Sequence, residues 1–168
     1  MSIYRVKQFF KAITAKISND DIEFINKYLD DNEKKIFNEL KVYDKKHCLN
    51  VAKEIELYLN NNSGIKLSIG KDDLIKAGIL HDIGKINRNL NPIEKSVLVI
   101  ADKITKGKLR SYSNIKFINV YYNHGELGYE KLKKYNYDKD FLKLIKNHHN
   151  NTFNNEAMKI LKESDDKN

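Results

Sequence analysis

The segment from Asp72 to Lys85 constrains the fold of this chain more than any other part of the sequence. A helix from about Asp72 to Asp82 would be apolar nearly all round, through Leu74, Ile75, Ala77, Gly78, Ile79 and Leu80. Such a helix lies in the centre of a bundle. His81 and Asp82 close it, and a buried imidazole and carboxylate both need partners. Because one metal ion can satisfy several such groups, the segment predicts a central helix that leads into a metal site.

A scarcity of chain-breaking residues favours helices over a turn-rich β fold. The 168 residues include one proline and seven glycines, and this length suits one domain with a substantial core. With 40% apolar and 32% charged residues, the composition is that of a soluble protein. We therefore expect an all-α, single-domain helical bundle.

The single cysteine, Cys48, cannot form an internal disulfide, which is typical of a cytoplasmic protein. The N-terminus, MSIYRVKQFF, is too charged for a signal peptide. The longest apolar run, Ser96 to Ala101, is far shorter than the ~20 residues that span a bilayer. We expect a cytoplasmic location and no membrane partner. Cys48 adjoins His47 and could be a ligand, but we favour a small core residue.

Local signals predict the helices of the first half of the chain. Residues 4–16 and 20–42 resemble one or two helical hairpins. Asp44 is a candidate cap for a helix that runs to about Asn60. His47 lies one turn before Val51 and should project from the buried face of that helix. Gly84 is expected to end the central helix.

The helices of the second half have clearer start signals. Asn91-Pro92 should open a helix, with Pro92 at its first position. A helix over 114–134 carries His124, and Gly128 on the same face would permit a close helix approach. Asp138 can cap a helix that ends at His148.

The last helix should start near Asn154 and present one carboxylate to the core. Its apolar stripe contains Met158, Leu161 and Asp165 at spacings of three and four residues. Asp166 falls instead on the side of the neighbouring lysines. The periodicity therefore favours Asp165 as the inward carboxylate.

All five histidines belong to one ordered series of candidate metal ligands. The six strongest candidates are His47, His81, Asp82, His124, His148 and Asp165. Six protein ligands on one ion would leave no open position for chemistry. Two ions that share Asp82 would leave room for water, and would clamp a phosphate between them. Lys85 lies three residues after Asp82 and could neutralise phosphate oxygens. A lysine at this position could instead cap carbonyls at the end of the central helix.

This series resembles the HD-domain superfamily of metal-dependent phosphohydrolases. His47, His81-Asp82 and Asp165 match its basic pattern, and the segment HDIGK matches its HDIG variant. The added histidines and the segment HGELGYEKL resemble its dinuclear branch, which includes HD-GYP phosphodiesterases and diadenosine tetraphosphate hydrolases. The resemblance covers residues 44–168, so residues 1–43 are expected to be a helical extension packed on an HD metal-binding domain. No Gly-Tyr-Pro follows His148-His149, which argues against cyclic di-GMP as the substrate.

The resemblance implies a role for each motif residue. His47, His81, Asp82 and Asp165 would hold the first divalent transition metal ion, which could be iron, manganese or zinc. Asp82, His124 and His148 would hold the second. His149 is the alternative to His148, and we favour His148 as ligand with His149 behind it. Asp82 and Lys85 would be the catalytic residues, and a metal-bound hydroxide would attack phosphorus.

A basic segment from Lys85 to Lys116 points to an anionic partner. Only Glu94 and Asp102 oppose its eight basic residues, namely Lys85, Arg88, Lys95, Lys103, Lys106, Lys108, Arg110 and Lys116. The expected partner is a small phosphate-containing substrate such as a nucleotide. A nucleic-acid surface is the alternative, because Tyr112, Phe117 and Tyr121-Tyr122 could stack on bases, but we favour a core position for these aromatics.

Two classes of function therefore remain. The first is a phosphohydrolase that cleaves a phosphomonoester or phosphodiester of a nucleotide-like substrate. The second is a non-catalytic regulatory module that keeps the metal site and senses a nucleotide without turning it over.

Overall fold

A computed structural model describes residues 14–150 and 155–168 of the chain, and within these ranges it contains helices and no strands. The α-helices are α1 (Asn19–Tyr28), α2 (Asp31–Asn38), α3 (Val42–Asn61), α4 (Lys71–Leu80), α5 (Pro92–Ile104), α6 (Lys116–Leu132), α7 (Lys139–Asn147) and α8 (Glu156–Lys167). Two 3-10 helices, Ile83–Arg88 and Lys108–Tyr112, flank α5. The expected all-α fold is confirmed.

The main hydrophobic core surrounds α4, whose residues from Leu74 to Leu80 are buried except for Lys76. Helices α3, α7 and α8 pack on α4, and residues of α1 and α2 such as Phe24 and Phe37 belong to the same buried cluster. Cys48 is fully buried in this cluster, in agreement with the expected core position. We call this cluster, with the ligand-bearing ends of its helices, the metal-site core.

A second and much smaller cluster lies beside it. It contains Leu90, Leu98 and Ile118, with Leu109, Tyr121 and Tyr122 packed on them. Helix α5 contacts mainly the second 3-10 helix and α6, and its outer face exposes four aliphatic residues, Ile93, Val97, Ile100 and Ile104. We call α5 and the 3-10 helix Lys108–Tyr112 the α5 wall. Within the described ranges, no helix is long and apolar enough to cross a membrane.

Short-range capping explains several of the helix starts. Asn91 accepts a hydrogen bond from the backbone N–H of Glu94, and Pro92 begins α5, as expected. Asp138 accepts from the backbone N–H of Asp140 at the start of α7, also as expected. The expected cap at Asp44 is wrong, because α3 begins at Val42 and places Asp44 inside its first turn.

The N-terminal helices differ in part from the expectation. The segment expected to be helical from 20 to 42 contains α1 and α2, joined by a two-residue connection at Leu29 and Asp30. Of the helix expected over 4–16, residues 4–13 lie outside the described residues, and 14–16 are not helical.

A buried carboxylate fixes α1 against α3. Asp21 is fully buried, and its two carboxylate oxygens lie 2.6 Å from Lys46 Nζ and 2.7 Å from Lys53 Nζ. Burial alone would favour the neutral acid, but the two ammonium groups hold the pKa of Asp21 well below its usual range. These ion pairs restrain the helix that carries His47.

Candidate metal centre

The His81-Asp82 pair lies where the central helix stops. Helix α4 ends at Leu80, His81 still has helical backbone angles, and Asp82 leaves the helix with φ −95° and ψ 9°. Adjacent side chains on a helix diverge by about 100°, so this change of direction allows both to face one place. The expected end at Gly84 is wrong, because the helix stops earlier and Gly84 lies within the following 3-10 helix.

Gly84 has a different function, which is to let two backbones approach. A Cβ atom at this position would lie 1.9 Å from the carbonyl oxygen of His124 and 2.7 Å from the backbone nitrogen of Gly128. No side chain fits there, so glycine brings the 3-10 helix against α6. Gly128 therefore permits a close approach, as expected, and its partner is the HDIGK segment.

His124 lies just after an irregularity in α6. Asn123 has non-helical backbone angles, φ −120° and ψ 16°, and the sequence did not indicate this kink. The carbonyl oxygens of Val120 and Tyr121 accept hydrogen bonds from His124 Nδ1 at 3.0 and 3.2 Å. These contacts orient the imidazole so that its other nitrogen, Nε2, faces Asp82.

Asp82 stands between two pairs of histidines. Its Oδ2 lies 3.6 Å from His47 Nε2 and 3.5 Å from His81 Nε2. Its Oδ1 lies 3.2 Å from His124 Nε2 and 3.9 Å from His148 Nε2. Each oxygen of one carboxylate thus faces a different pair of imidazoles, which is the arrangement that a bridging carboxylate requires.

The backbone fixes the tautomer of three imidazoles. His81 Nδ1 lies 2.9 Å from the carbonyl of Gly78, and His148 Nδ1 lies 2.7 Å from that of Ile145. A carbonyl only accepts, so each Nδ1 must carry the proton, as must that of His124. In the neutral ring, Nε2 then holds a lone pair directed into the cluster.

The Nε2 lone pairs of His124 and His148, whose tautomers are fixed, face each other, and His149 lies beside them. His124 Nε2 lies 3.3 Å from His148 Nε2 and 2.7 Å from His149 Nε2. The buried atoms His81 Nε2 and Asp82 Oδ1 have no hydrogen-bond partner at all. Converging acceptors without a donor fit a cation, and imidazole nitrogen with carboxylate oxygen suits a divalent transition metal. The residues present therefore fit the expected metal ions.

Burial keeps most of these imidazoles neutral. It lowers the pKa of His124 to about 3 and that of His148 well below the usual range. His81 is the exception, because the carboxylates of Asp82 and Asp165 outweigh burial and raise its pKa. The pKa of Asp82 is far below its usual range, since Lys85 and the histidines outweigh burial.

The last helix directs Asp165 into the cluster. Asp165 Oδ1 lies 2.9 Å from His47 Nε2 and 3.7 Å from His81 Nε2. Asp166 also borders the pocket, but its side chain is exposed and its carboxylate is 3.2 Å from Lys162 Nζ. Asp165 therefore points toward the histidines, which is the direction that the apolar stripe of α8 predicts.

Both of the adjacent histidines reach the cluster. His148 is fully buried, whereas the side chain of His149 is 56% exposed. One atom of each lies within 4.8 Å of one atom each of Asp82 and His124, a spacing that could hold one ion. Two further such groups are His47 with His81 and Asp82, and His81 with His148 and Asp165. The geometry therefore leaves His149 as a candidate beside His148.

Lys85 contacts carboxylates rather than helix-end carbonyls. Its Nζ donates to Asp82 Oδ2 and lies 3.8 Å from Asp44 Oδ1. Asp44, which the sequence suggested only as a cap, is buried and is thus a neighbour of the site. These two carboxylates raise the pKa of Lys85 above its usual range, although burial opposes this, so the side chain is a permanent cation next to Asp82.

An open pocket of about 840 Å³ gives access to this cluster. The metal-site core lines it with His47, Asp82, His124, His149 and Asp165, and the α5 wall adds Lys95, Val99, Asp102 and Arg110. The sequence marked the basic segment but not which of its residues face the site. Lys85 and Lys95 line the same pocket, and the charge of Lys85 lowers the pKa of Lys95.

We had favoured a core position for the aromatic residues in and beside the basic segment, and the structure shows that this prediction is wrong. Tyr112 is 57% exposed and Phe117 is 38% exposed. Tyr121 and Tyr122 are half-buried and pack on the small second cluster, where both line the pocket. They are therefore outside the main core.

A family model described as HD domain matches residues 45–166 of the chain, which is more than two thirds of its length. The match contains all seven candidate metal ligands, from His47 to Asp165. No curated protein and no solved structure matches the chain significantly.

Proposed function

This chain belongs to the HD domain family, whose members are in general metal-dependent phosphohydrolases, and we propose that it cleaves a phosphomonoester or phosphodiester of a nucleotide-like substrate. The observation that carries the proposal is the convergence of buried imidazole Nε2 atoms on both oxygens of Asp82, where the Nε2 atoms of His124 and His148 carry lone pairs. A purely structural cluster would pair these atoms with hydrogen-bond donors.

Two ions are the best match to the donor set. His47 and His81 face Asp82 Oδ2, while His124 and His148 face Asp82 Oδ1. Asp165 would complete the first group from α8. Divalent ions in such a site lower the pKa of water and neutralise charge on a phosphoryl group.

The remaining residues would position and neutralise the substrate. The pocket is open to solvent above the cluster, so a phosphate ester can reach it. Lys85 stands beside Asp82, where it would stabilise the negative charge that builds up on phosphate oxygens during hydrolysis. Asp82 would position both metal ions and so orient the scissile phosphate.

Metal analysis followed by a substrate screen tests the proposal. The purified protein should contain about two transition metal ions per chain, and it should release phosphate or a nucleoside monophosphate from some member of a panel of nucleotide esters. Asp82→Ala is the matched inactive control. A protein that binds metal and a nucleotide but hydrolyses no member of the panel would instead be a regulatory module.

A further inference from the structure

Two cations of the pocket differ from the others in having no counter-ion. Lys85 pairs with Asp82, and Lys146 lies 2.9 Å from Glu126. Lys95 and Arg110 line the same pocket, yet among the described residues no carboxylate lies within 4.0 Å of either charged group. Unpaired cations are ordinary on an open surface, but these two face a concave site that already contains Lys85.

The neighbouring acid that could have paired with Arg110 is engaged elsewhere. Asp102, on α5, accepts a hydrogen bond from the hydroxyl of Tyr122. The Arg110 guanidinium lies over the Tyr122 ring, 5.6 Å from its centre. The ring therefore supports the guanidinium while its nitrogen donors remain available to a ligand.

Both cations share one pocket with the metal centre. Lys95, on α5, and Arg110, on the following 3-10 helix, line the pocket that Asp82 and His124 also line. The Arg110 guanidinium rests on the ring of Tyr122, which lies on the same helix as His124. A ligand held at the metal centre would therefore share its pocket with both cations.

We propose that Lys95 and Arg110 form a second anion subsite, which binds a phosphate group of the substrate other than the one that is hydrolysed. The substrate accordingly carries at least two phosphates. This inference rests on the proposed function for the identity of the first phosphate, but the subsite itself is a binding property. An anion held by Lys95 and Arg110 would gain charge-assisted hydrogen bonds, and it would offset the repulsion between Lys95 and Lys85.

Calorimetric titration of the metal-loaded protein with pyrophosphate and with orthophosphate tests the subsite without any need for turnover. The variants are Lys95→Gln and Arg110→Gln. Lys103→Gln is the matched control, because Lys103 is an exposed lysine of the same helix that does not line the pocket. Metal chelation by pyrophosphate affects all proteins equally, so only differences between them are diagnostic.

Each variant in the subsite should weaken pyrophosphate binding by about tenfold or more, and should weaken orthophosphate binding much less. Lys103→Gln should change neither affinity. Unchanged pyrophosphate affinity in both variants would overturn the subsite. Equal losses for the two anions would also overturn it, since both cations would then serve the first phosphate. If the two variants weaken pyrophosphate binding as expected but the protein hydrolyses no nucleotide ester, only the proposed function would be refuted and the subsite would stand.

Discussion

The metal-site core and the α5 wall face the same pocket but are built differently. The core surrounds α4 with buried residues from α1, α2, α3, α7 and α8, and it fixes its imidazoles by hydrogen bonds to backbone carbonyls. The α5 wall rests on three buried side chains and exposes a row of aliphatic residues. Among the described residues, its pocket-lining cations Lys95 and Arg110 have no carboxylate within 4.0 Å. The difference would suit the two proposed tasks, because metal ligands need fixed positions whereas a wall that binds a substrate can adjust.

Asp82 gives the most severe test of this division. Asp82→Ala should remove both ions and reduce hydrolysis to background, because one carboxylate serves both groups of histidines. Elemental analysis and activity of the same preparation measure this. Asp102→Ala removes a pocket carboxylate from the α5 wall, so it should keep the full metal content. Two ions retained in Asp82→Ala would exclude the bridging role.

Truncation of one leucine in each region compares their packing. Leu80→Ala should lower the free energy of unfolding by about 2–5 kcal/mol, because the side chain is fully buried in the main core. Leu98→Ala should cause a smaller loss, near the lower end of that range at about 2 kcal/mol, since the small cluster can collapse around the gap. Urea denaturation of the metal-free proteins measures both values. Equal losses of unfolding free energy in the two variants would show that the two regions are packed alike.

Lys85 belongs to the metal-site core but also lines the pocket. If it stabilises phosphate mainly in the transition state, Lys85→Ala should reduce kcat by the equivalent of about 2–4 kcal/mol with unchanged metal content. Steady-state kinetics and a melting curve of one preparation are needed. A raised KM with intact kcat would indicate that Lys85 binds substrate and transition state equally. A lower melting temperature with normal turnover would reduce Lys85 to a structural partner of Asp82.

His124 tests whether the core holds one ion or two. His124→Ala should lower the metal content from about two ions to about one, because His47, His81, Asp82 and Asp165 still surround the first position. Metal-to-protein ratios after exhaustive dialysis measure the change. A wild-type protein that never holds more than one ion would contradict this prediction.

The smallest expected effect separates two adjacent acids on α8. Asp165→Asn should weaken one ion, because Asp165 contacts His47 and His81. Asp166→Asn should leave metal affinity unchanged, because Asp166 pairs with Lys162 on the outer side. Competition with a chelator compares the two variants. The reverse order would mean that α8 is rotated relative to this structure.

What the sequence predicts well is local. Asn91 and Asp138 were identified as caps because their hydrogen bonds reach only two or three residues along the chain. The inward direction of Asp165 follows from helical periodicity alone. The central position of α4 follows from its lack of a polar face.

What the sequence misses depends on contacts between distant segments. Gly84 resembles a helix terminator, but its role is set by the backbone of His124, forty residues away. The kink at Asn123 has no local signal. Lys95 and Arg110 are two among eight basic residues, and only the path of α5 beside α6 shows that they face the pocket.

The carbonyl contacts of the imidazoles also determine how the site would exchange protons with water. His124 and His148 are neutral at physiological pH and already have the tautomer that presents Nε2. Neither ring needs to lose a proton or to change tautomer when an ion arrives. Of the three rings with fixed tautomers, only His81 has a raised pKa and a proton to release. Among these three rings, metal uptake should therefore release a proton only from His81, so that the apparent affinity rises with pH until that ring is deprotonated.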